Sequence, residues 1–136
     1  MNKKVLRNLS YGVYIISTLD GERATGCVAN SVMQITSSPA TIAVSMNHDN
    51  YTNGCIKESG KFAVSILSEQ VDPGLIGTFG FQSGRDVNKF DGINAIEKED
   101  GTLVETTERT GVWAWKHPHK EDGTTTFVEL KGDIVF

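Results

Sequence analysis

The sequence predicts an all-β domain with short helices and antiparallel strands. Three segments rich in β-branched and aromatic residues, 11–19, 24–35 and 41–46, follow one another along the first part of the chain. An Asp-Gly turn at Asp20 separates the first two, and Pro39 marks a corner before the third. Strands joined by such short turns pair antiparallel, because a parallel pair needs a long crossover connection.

Length and composition predict one globular domain. The 136 residues suffice for a single domain with a hydrophobic core, and we expect it to span residues 1–136. Hydrophobic residues make up 38% of the chain and charged residues 22%, a balance typical of folded proteins. No internal repeat, low-complexity tract or linker interrupts the sequence.

The charge and hydropathy patterns disfavour two classes of function. A net charge of −4 and a pI near 5.3 argue against a general nucleic-acid binder, which needs a basic face against phosphates. No apolar run has the length of a membrane span, and the first residues lack the apolar stretch of a secretory signal. We therefore expect a cytoplasmic protein that binds neither nucleic acid nor membranes but has room for a local anion site.

The two cysteines, Cys27 and Cys55, lie outside any Cys-x-x-Cys motif. Free thiols are the expectation for a cytoplasmic chain, and a disulfide between the two is the alternative. Neither cysteine has a histidine close in sequence, so nothing in the sequence predicts thiol catalysis.

Two short helices are predicted after the first three strands. One, Tyr51–Ser59, can be capped by Asp49 or Asn50 and stops at Gly60. The other, over 71–79, carries a proline in its first turn, where a missing N–H costs little, and stops at the next glycine. The other predicted elements are a helical lead-in over 5–9 and strands over 61–67, 93–96, 103–107, 112–116, 124–130 and 134–136.

A patch of small residues stands out in the second predicted strand. Ala29, Asn30 and Ser31 occupy positions where strand interiors usually carry β-branched or aromatic side chains. Small residues with polar tips allow another molecule to approach the backbone closely and to form hydrogen bonds there. This small-residue patch therefore indicates a surface for a ligand.

The loop over 81–90 is the second informative stretch. Ser83, Gly84 and Arg85 supply a hydroxyl, an unobstructed N–H and a guanidinium, which together can cradle an anion. Lys89 is four positions after Arg85, so on one helical turn both side chains would project the same way. A solvated surface turn is the alternative, although the two phenylalanines of the loop indicate packing against the domain.

Motifs of several other chemistries are absent. The sequence has no P-loop, no Gly-x-Gly-x-x-Gly before a helix and no Gly-x-Ser-x-Gly elbow. His117 and His119 flank a proline without a third ligand, and His48 stands beside an aspartate. We expect these histidines in exposed loops and no bound metal.

Several short motifs occur in a fixed order from residue 7 to about residue 93. They are SYGVYI at 10–15, ANSV at 29–32, AVS at 43–45 with Thr52, KFAVSILS at 61–68, and GF followed by SGRDVNKF at 80–90. In this order they resemble the flavin reductase-like, FMN-binding split-barrel family. The resemblance is to the branch that contains flavoredoxin and the NADH:rubredoxin oxidoreductases of anaerobes.

The resemblance implies an antiparallel split β-barrel, a homodimer, and an FMN bound near the subunit interface. By position, it implies that the isoalloxazine and ribityl chain are lined by Ala29, Asn30, Ser31 and Val32. The residues around the ribityl and phosphate end would be Ser45, Asn47, Asn50 and Thr52. The anion site would be completed by Ser83, Gly84, Arg85 and Lys89.

The resemblance also implies a flavin-based chemistry. NAD(P)H would deliver a hydride to the flavin, electrons would pass to an acceptor such as rubredoxin, and no side chain would act as a catalytic acid or base. Two alternatives stay open. One is a non-enzymatic FMN electron carrier of the flavoredoxin kind, and the other is a split-barrel binding module without catalysis.

The chain departs from the family pattern in its C-terminal part, about 97–136. A Gly-Thr-His segment is common there, whereas this chain has threonine at Thr125. Trp113 and Trp115 have no counterpart in the pattern. The departure affects what the resemblance implies about the closing strands of the barrel, the nicotinamide side of the site and the dimer contacts. The motifs for FMN lie upstream of it.

Overall fold

Seven strands and two α-helices form from the residues that the computed structural model describes, which are 2–38, 40–67, 71–93, 95–97 and 103–105. A 3₁₀ helix, Lys3–Asn8, precedes them. In chain order they are β1 Tyr14–Asp20, β2 Arg23–Ala29, β3 Val32–Ser37, β4 Ala40–Val44, α1 Tyr51–Ser59, β5 Ala63–Ile66, α2 Pro73–Phe81, β6 Ala95–Glu97 and β7 Leu103–Glu105.

Strand β1 is the centre of the main sheet because both of its faces are apolar. It lies between β2 and β5, and both neighbours pair with it antiparallel. Ile15 and Ile16 point to opposite faces, and each is fully buried. The predicted central position of the first strand is confirmed, as are the antiparallel strands with few short helices.

The predicted second strand, over 24–35, is wrong as a single element. It divides into β2 and β3, with Asn30 and Ser31 between them. β3 leaves the main sheet and pairs with β4 in a separate antiparallel pair, whose register shifts between Gln34 and Thr36. Asparagine and serine compete with ladder hydrogen bonds through their side chains, so the chain can change direction there.

Helix α1 begins and ends where the sequence predicts. The Asn50 side chain accepts a hydrogen bond from the Thr52 N–H at 2.9 Å, which makes Asn50 rather than Asp49 the N-cap. Gly60 ends the helix in a left-handed conformation with a φ of 69°, which glycine adopts without strain.

Helix α2 is shifted by two residues from its predicted bounds at each end. It begins at Pro73 because the Asp72 side chain accepts a hydrogen bond from the Gly74 N–H at 2.9 Å. It continues through Gly80, the predicted stop, to Phe81. Glycine permits a helix to end but does not require it.

The hydrophobic core lies between the main sheet and α2. Ile15, Leu75 and Phe79 form its buried centre, with Val28 and Phe90 packed against it. The rings of Phe79 and Phe90 meet edge to face with centroids 5.1 Å apart. The loop thus packs on the domain through Phe90, whereas Phe81 is 87% exposed, contrary to the expectation that both phenylalanines pack inward.

The described strands account for only part of the predicted barrel. β6 and β7 pair antiparallel, and β7 lies against β5 and β1. The predicted strands over 112–116, 124–130 and 134–136, and the positions of Trp113, Trp115, His117 and His119, lie outside the described residues, as does the Pro39 corner. Closure of a barrel therefore stays a prediction. Within the described ranges, no helix has the length and apolar character needed to cross a membrane.

Candidate functional site

A cavity of about 290 Å³ lies where β2, the start of α1, the end of α2 and the following loop meet. Its wall combines apolar groups on the sheet side with polar groups from the helix ends and the loop. The lining residues are Gly26, Cys27, Val28, Asp49, Asn50, Tyr51, Thr52, Phe79, Gly80, Phe81, Gln82, Ser83, Gly84 and Lys89.

The N-terminus of α1 gives one side of the cavity a positive potential. Its first residues, Tyr51 and Thr52, line the cavity together with the cap Asn50. The N–H groups at a helix start carry partial positive charge, which favours an anionic ligand nearby. The Asn47 carbonyl accepts hydrogen bonds from the Asn50 N–H and the Asn53 side chain, both at 3.1 Å, and this fixes the turn that leads into the helix.

The C-terminus of α2 would give the cavity a negative potential, but the Lys89 ammonium binds the carbonyls at this helix end. The Lys89 ammonium donates to the carbonyls of Thr78 at 2.8 Å, Phe79 at 3.1 Å and Gln82. The side chain is only 1% exposed, although it lines the cavity. Burial lowers the pKa of Lys89, whereas the carbonyl acceptors favour its protonated form. Lys89 thus offsets the negative end of α2 beside the cavity.

The loop over 83–87 closes on itself through Ser83. Its hydroxyl accepts a hydrogen bond from the Arg85 N–H at 3.2 Å, and its carbonyl accepts from the N–H groups of Asp86 at 3.0 Å and Val87 at 3.2 Å. Ser83 and Gly84 line the cavity. The loop is thus ordered beside the cavity by its own hydrogen bonds, and its role as an anion cradle stays a prediction.

Gly84 sits where only a glycine fits. A Cβ at this position would overlap the Thr25 hydroxyl and come within 3.3 Å of the Tyr51 ring. Thr25 is fully buried, and its hydroxyl has no hydrogen-bond partner among the described residues. The loop backbone therefore packs directly on β2 and α1.

A cluster of three side chains, Asp20, Arg23 and Tyr51, ties the β1–β2 turn to this loop, and we call it the latch. Arg23 donates to Asp20 at 2.7 Å and to the Gly84 carbonyl at 2.6 Å, and Tyr51 donates its hydroxyl to Asp20 at 2.6 Å. The hydrogen bond from Tyr51, followed by that from Arg23, lowers the pKa of Asp20. The same contact with Asp20 raises the pKa of Tyr51.

Cys27 places a thiol in the cavity wall, on the β2 side. Cys27 and Cys55 are both buried free thiols, as predicted. Burial raises the pKa of each, so neither is an activated thiolate. Among the described residues, no group of three or more histidine, cysteine, aspartate or glutamate side chains is arranged to hold a metal ion.

The chain matches the family described as flavin reductase like domain over residues 6–113. It belongs to this family. The family resemblance predicted from the motifs is thereby confirmed, and the cavity can be considered as part of a flavin reductase-like domain.

Two curated relatives of this flavin reductase-like domain are similar over most of its length. It is 50% identical over 101 residues to a high molecular weight rubredoxin from Moorella thermoacetica, covering 74% of this chain and 44% of that protein. It is 37% identical over 112 residues to a ferric-chelate reductase (NAD(P)H) from Archaeoglobus fulgidus, covering 82% of this chain and 66% of that protein. The chain spans less than two thirds of the length of either relative.

Solved structures share the fold. Flavoredoxin of Desulfovibrio vulgaris (Miyazaki F) superposes with a TM-score of 0.65 at 27% identity, over 73% of this chain and 57% of that one. Nitrilotriacetate monooxygenase component B from Mycobacterium thermoresistibile superposes with a TM-score of 0.68 at 24% identity, over 76% of this chain and 55% of that one. The second likeness concerns the fold alone.

The cavity brings together some of the predicted cofactor-binding residues. Those that line it are Asn50, Thr52, Ser83, Gly84 and Lys89. Those that do not line it are Ala29, Asn30, Ser31, Val32, Ser45, Asn47 and Arg85. The small-residue patch nevertheless directly follows the cavity-lining end of β2, and the Ser45 N–H donates to the Ser31 carbonyl at 2.9 Å.

Arg85 and Lys89 do not project the same way. The Arg85 guanidinium lies 5.4 Å from the centre of the Tyr51 ring, whereas the Lys89 ammonium turns inward to the end of α2. The loop between them is not one helical turn, so the spacing of four residues carries no common direction. Contact of either side chain with a cofactor stays a prediction.

Sequence reasoning missed the sheet side of the cavity and the latch. Gly26 and Cys27 had no motif of their own, although their position just before the small-residue patch was a usable signal. Asp20 was predicted only as part of a turn, and Arg23 belonged to no motif. The contact of Asp20 with Tyr51 and those of Arg23 with Gly84 and Val87 depend on the tertiary fold, so no local pattern could reveal them.

Proposed function

We propose that this domain is an FMN-binding oxidoreductase, reduced by NAD(P)H, that passes electrons to a protein acceptor such as rubredoxin. The observation that carries the proposal is the cavity itself. It joins a helix N-terminus, a serine hydroxyl and an offset helix C-terminus in a domain of the flavin reductase-like family. An overall acidic chain with such a local site is suited to a small anionic ligand rather than to a polyanion.

The donor set of the cavity fits the polar end of FMN. A phosphate needs donors and a positive potential. The Ser83 hydroxyl can donate, the start of α1 supplies positive potential, and Lys89 offsets the negative potential of the α2 C-terminus. The volume of about 290 Å³ lies at the lower edge of the range for ligand pockets, so the cavity suits the phosphate and ribityl chain rather than the whole cofactor. The flat ring would lie outside, over the small-residue patch.

The flavin, when bound, supplies the redox chemistry by accepting a hydride and releasing electrons. The residues of this chain bind the phosphate, orient the ring and limit water access on the sheet side. No described side chain needs to act as an acid or base.

The names of the relatives support the donor and the acceptor. One relative is named as a reductase that uses NAD(P)H and the other as a rubredoxin. A homodimer is part of the proposal as well, since large apolar side chains are exposed in the described part of the chain. They include Val5, Leu6, Leu9, Tyr11, Met33 and Ile35.

The proposal is tested by the colour of the purified protein and its response to NADH. We expect a yellow protein, or one that takes up added FMN, with flavin absorbance released on denaturation. Under anaerobic conditions, NADH should bleach the flavin within minutes, and rubredoxin should restore its colour. A colourless protein that fails to take up FMN would contradict flavin binding altogether.

An electron carrier without nicotinamide activity is the second candidate, favoured by the likeness to a flavoredoxin at 27% identity. It predicts the same yellow protein and the same exchange of electrons with a protein partner. It differs in one result, since NADH alone would leave the flavin oxidised.

A further inference from the structure

Arg23, which lies outside the loop over 83–87, donates hydrogen bonds to two carbonyls of that loop. The guanidinium donates to the Gly84 carbonyl at 2.6 Å and to the Val87 carbonyl at 3.4 Å. These carbonyls lie at both ends of the short turn that begins at Ser83. A guanidinium can make these bonds at once because it presents several N–H groups in a rigid plane.

Arg23 is itself held in place by the rest of the latch. One carboxylate oxygen of Asp20 accepts two hydrogen bonds, from the Arg23 guanidinium at 2.7 Å and from the Tyr51 hydroxyl at 2.6 Å. The Arg23 and Asp20 side chains are 36% and 30% exposed, and ion pairs with that exposure add little to stability. The ion pair of Arg23 with Asp20 therefore contributes mainly by fixing the position of the guanidinium.

Holding the carbonyls sets the direction of the loop N–H groups. In a trans peptide the C=O and N–H point to opposite sides. Arg23 draws the Gly84 carbonyl toward the latch, so the next N–H, that of Arg85, points away from it and donates to the Ser83 hydroxyl oxygen, which leaves the proton of that hydroxyl as a donor. The Ser83 carbonyl is turned to the N–H groups of Asp86 and Val87, so the Gly84 N–H also points away from those groups.

We propose that Arg23 is a positioning residue which, through the latch, orients the donors of the loop over 83–87 for the phosphate of a flavin nucleotide. The inference rests on the proposed function, because it assumes a flavin in the cavity. Arg23 itself does not line the cavity. We expect its effect to be confined to the phosphate, because the hydrogen bonds of Arg23 join it to Asp20 and to the loop carbonyls of Gly84 and Val87.

The test compares the affinities for FMN and riboflavin, which differ only in the phosphate. The variants are Arg23→Ala, Arg23→Lys and, as a charge-matched control, Arg7→Ala in the exposed 3₁₀ helix. Losing charged hydrogen bonds to the loop should weaken FMN binding by about tenfold in Arg23→Ala. Riboflavin affinity should change by less than about twofold, since a substitution away from its contacts is nearly neutral.

Arg23→Lys separates positioning from charge. A lysine retains the positive charge but cannot hold Asp20 and two carbonyls in one plane, so FMN affinity should be recovered only in part. Full recovery would show that charge alone matters and would overturn the positioning role. If Arg23→Ala does not fold, as judged by circular dichroism, the comparison of Arg23→Lys with wild type decides the question in the same way.

The outcomes also distinguish the inference from the function on which it rests. A wild-type protein that binds neither flavin, or binds both equally, contradicts the proposed function. A wild-type protein that prefers FMN, together with Arg23→Ala that keeps the same preference, overturns the inference alone. Equal weakening of FMN and riboflavin in Arg23→Ala also overturns it, because that result indicates general loosening of the domain.

Discussion

The cavity and the small-residue patch are neighbours, since the patch follows the cavity-lining residues of β2, but they are built differently. Asn50 and Lys89 are fixed around the cavity by hydrogen bonds to backbone groups. At the patch, Asn30 is exposed, and the described side-chain contact is that of the Ser31 hydroxyl with Asn30 at 3.2 Å. The cavity is thus ordered by hydrogen bonds within the described part of the chain, whereas the patch is an open surface. In the proposed site, the cavity would take the polar end of the flavin nucleotide and the patch would take its ring.

The largest expected effect is that of Lys89→Met on stability. The variant leaves the carbonyls at the end of α2 without their donor in a buried site, which should lower the free energy of unfolding by about 2–4 kcal/mol. Urea denaturation followed by circular dichroism measures it. Lys3→Met, at an exposed position, is the control.

A substitution in the small-residue patch should have little effect on the free energy of unfolding in the same assay. Asn30→Ala should change the free energy of unfolding by less than about 0.5 kcal/mol, because Asn30 is exposed. Comparable losses in Asn30→Ala and Lys89→Met would remove the distinction between a fixed cavity and an open patch.

The next effect is that of Gly84→Ala on flavin binding. Its Cβ would overlap the Thr25 hydroxyl, so the loop must move, at a cost of about 1–3 kcal/mol, and FMN affinity should fall by about tenfold or more. Gly77→Ala is the matched control in α2, since a Cβ there meets nothing within 4 Å. Unchanged FMN affinity in Gly84→Ala, measured by flavin fluorescence, would show that the loop does not touch the ligand.

A smaller effect distinguishes the N-caps of the two helices. Asn50→Ala and Asp72→Ala each remove a side-chain acceptor from a helix start, and each should lower the free energy of unfolding by about 1 kcal/mol. Asn50 lines the cavity and Asp72 does not. Only Asn50→Ala should therefore weaken FMN binding, and equal binding by the two variants would argue against α1 as part of the site.

The smallest effect is the pH dependence contributed by the latch. The pKa of Asp20 is lowered in the folded state, first by Tyr51 and then by Arg23, so its contribution is present above about pH 4 and is lost as the pH falls through the folded-state pKa. The difference in free energy of unfolding between wild type and Asp20→Asn should therefore be smaller at pH 3 than at pH 6. Urea titrations at the two pH values measure it, and a difference that stays constant or grows on acidification would contradict the prediction.

Local patterns predicted the elements but not their long-range contacts. The start of α1 followed from Asn50 and its end from Gly60, since capping depends on neighbouring residues. The division between β2 and β3 was missed, because pairing with a different strand decides it. The shifted ends of α2 were missed as well, as they depend on the Asp72 cap and on Gln82 rather than on the glycine at position 80.

The candidate site was predictable to a similar degree. Ser83 and Gly84 were predicted from residue type alone, and both line the cavity. Two features depend on the tertiary fold and could not be predicted from residue spacing. They are the inward direction of the Lys89 side chain and the hydrogen bond from Arg23 to Gly84, 61 positions later.

A crystal structure of the domain with FMN tests the central claim most directly. It should show the phosphate within hydrogen-bonding distance of the Ser83 hydroxyl and the start of α1, with the isoalloxazine ring over Ala29, Asn30 and Ser31. A phosphate bound outside the cavity, or a ring buried in the cavity in its place, would contradict the account.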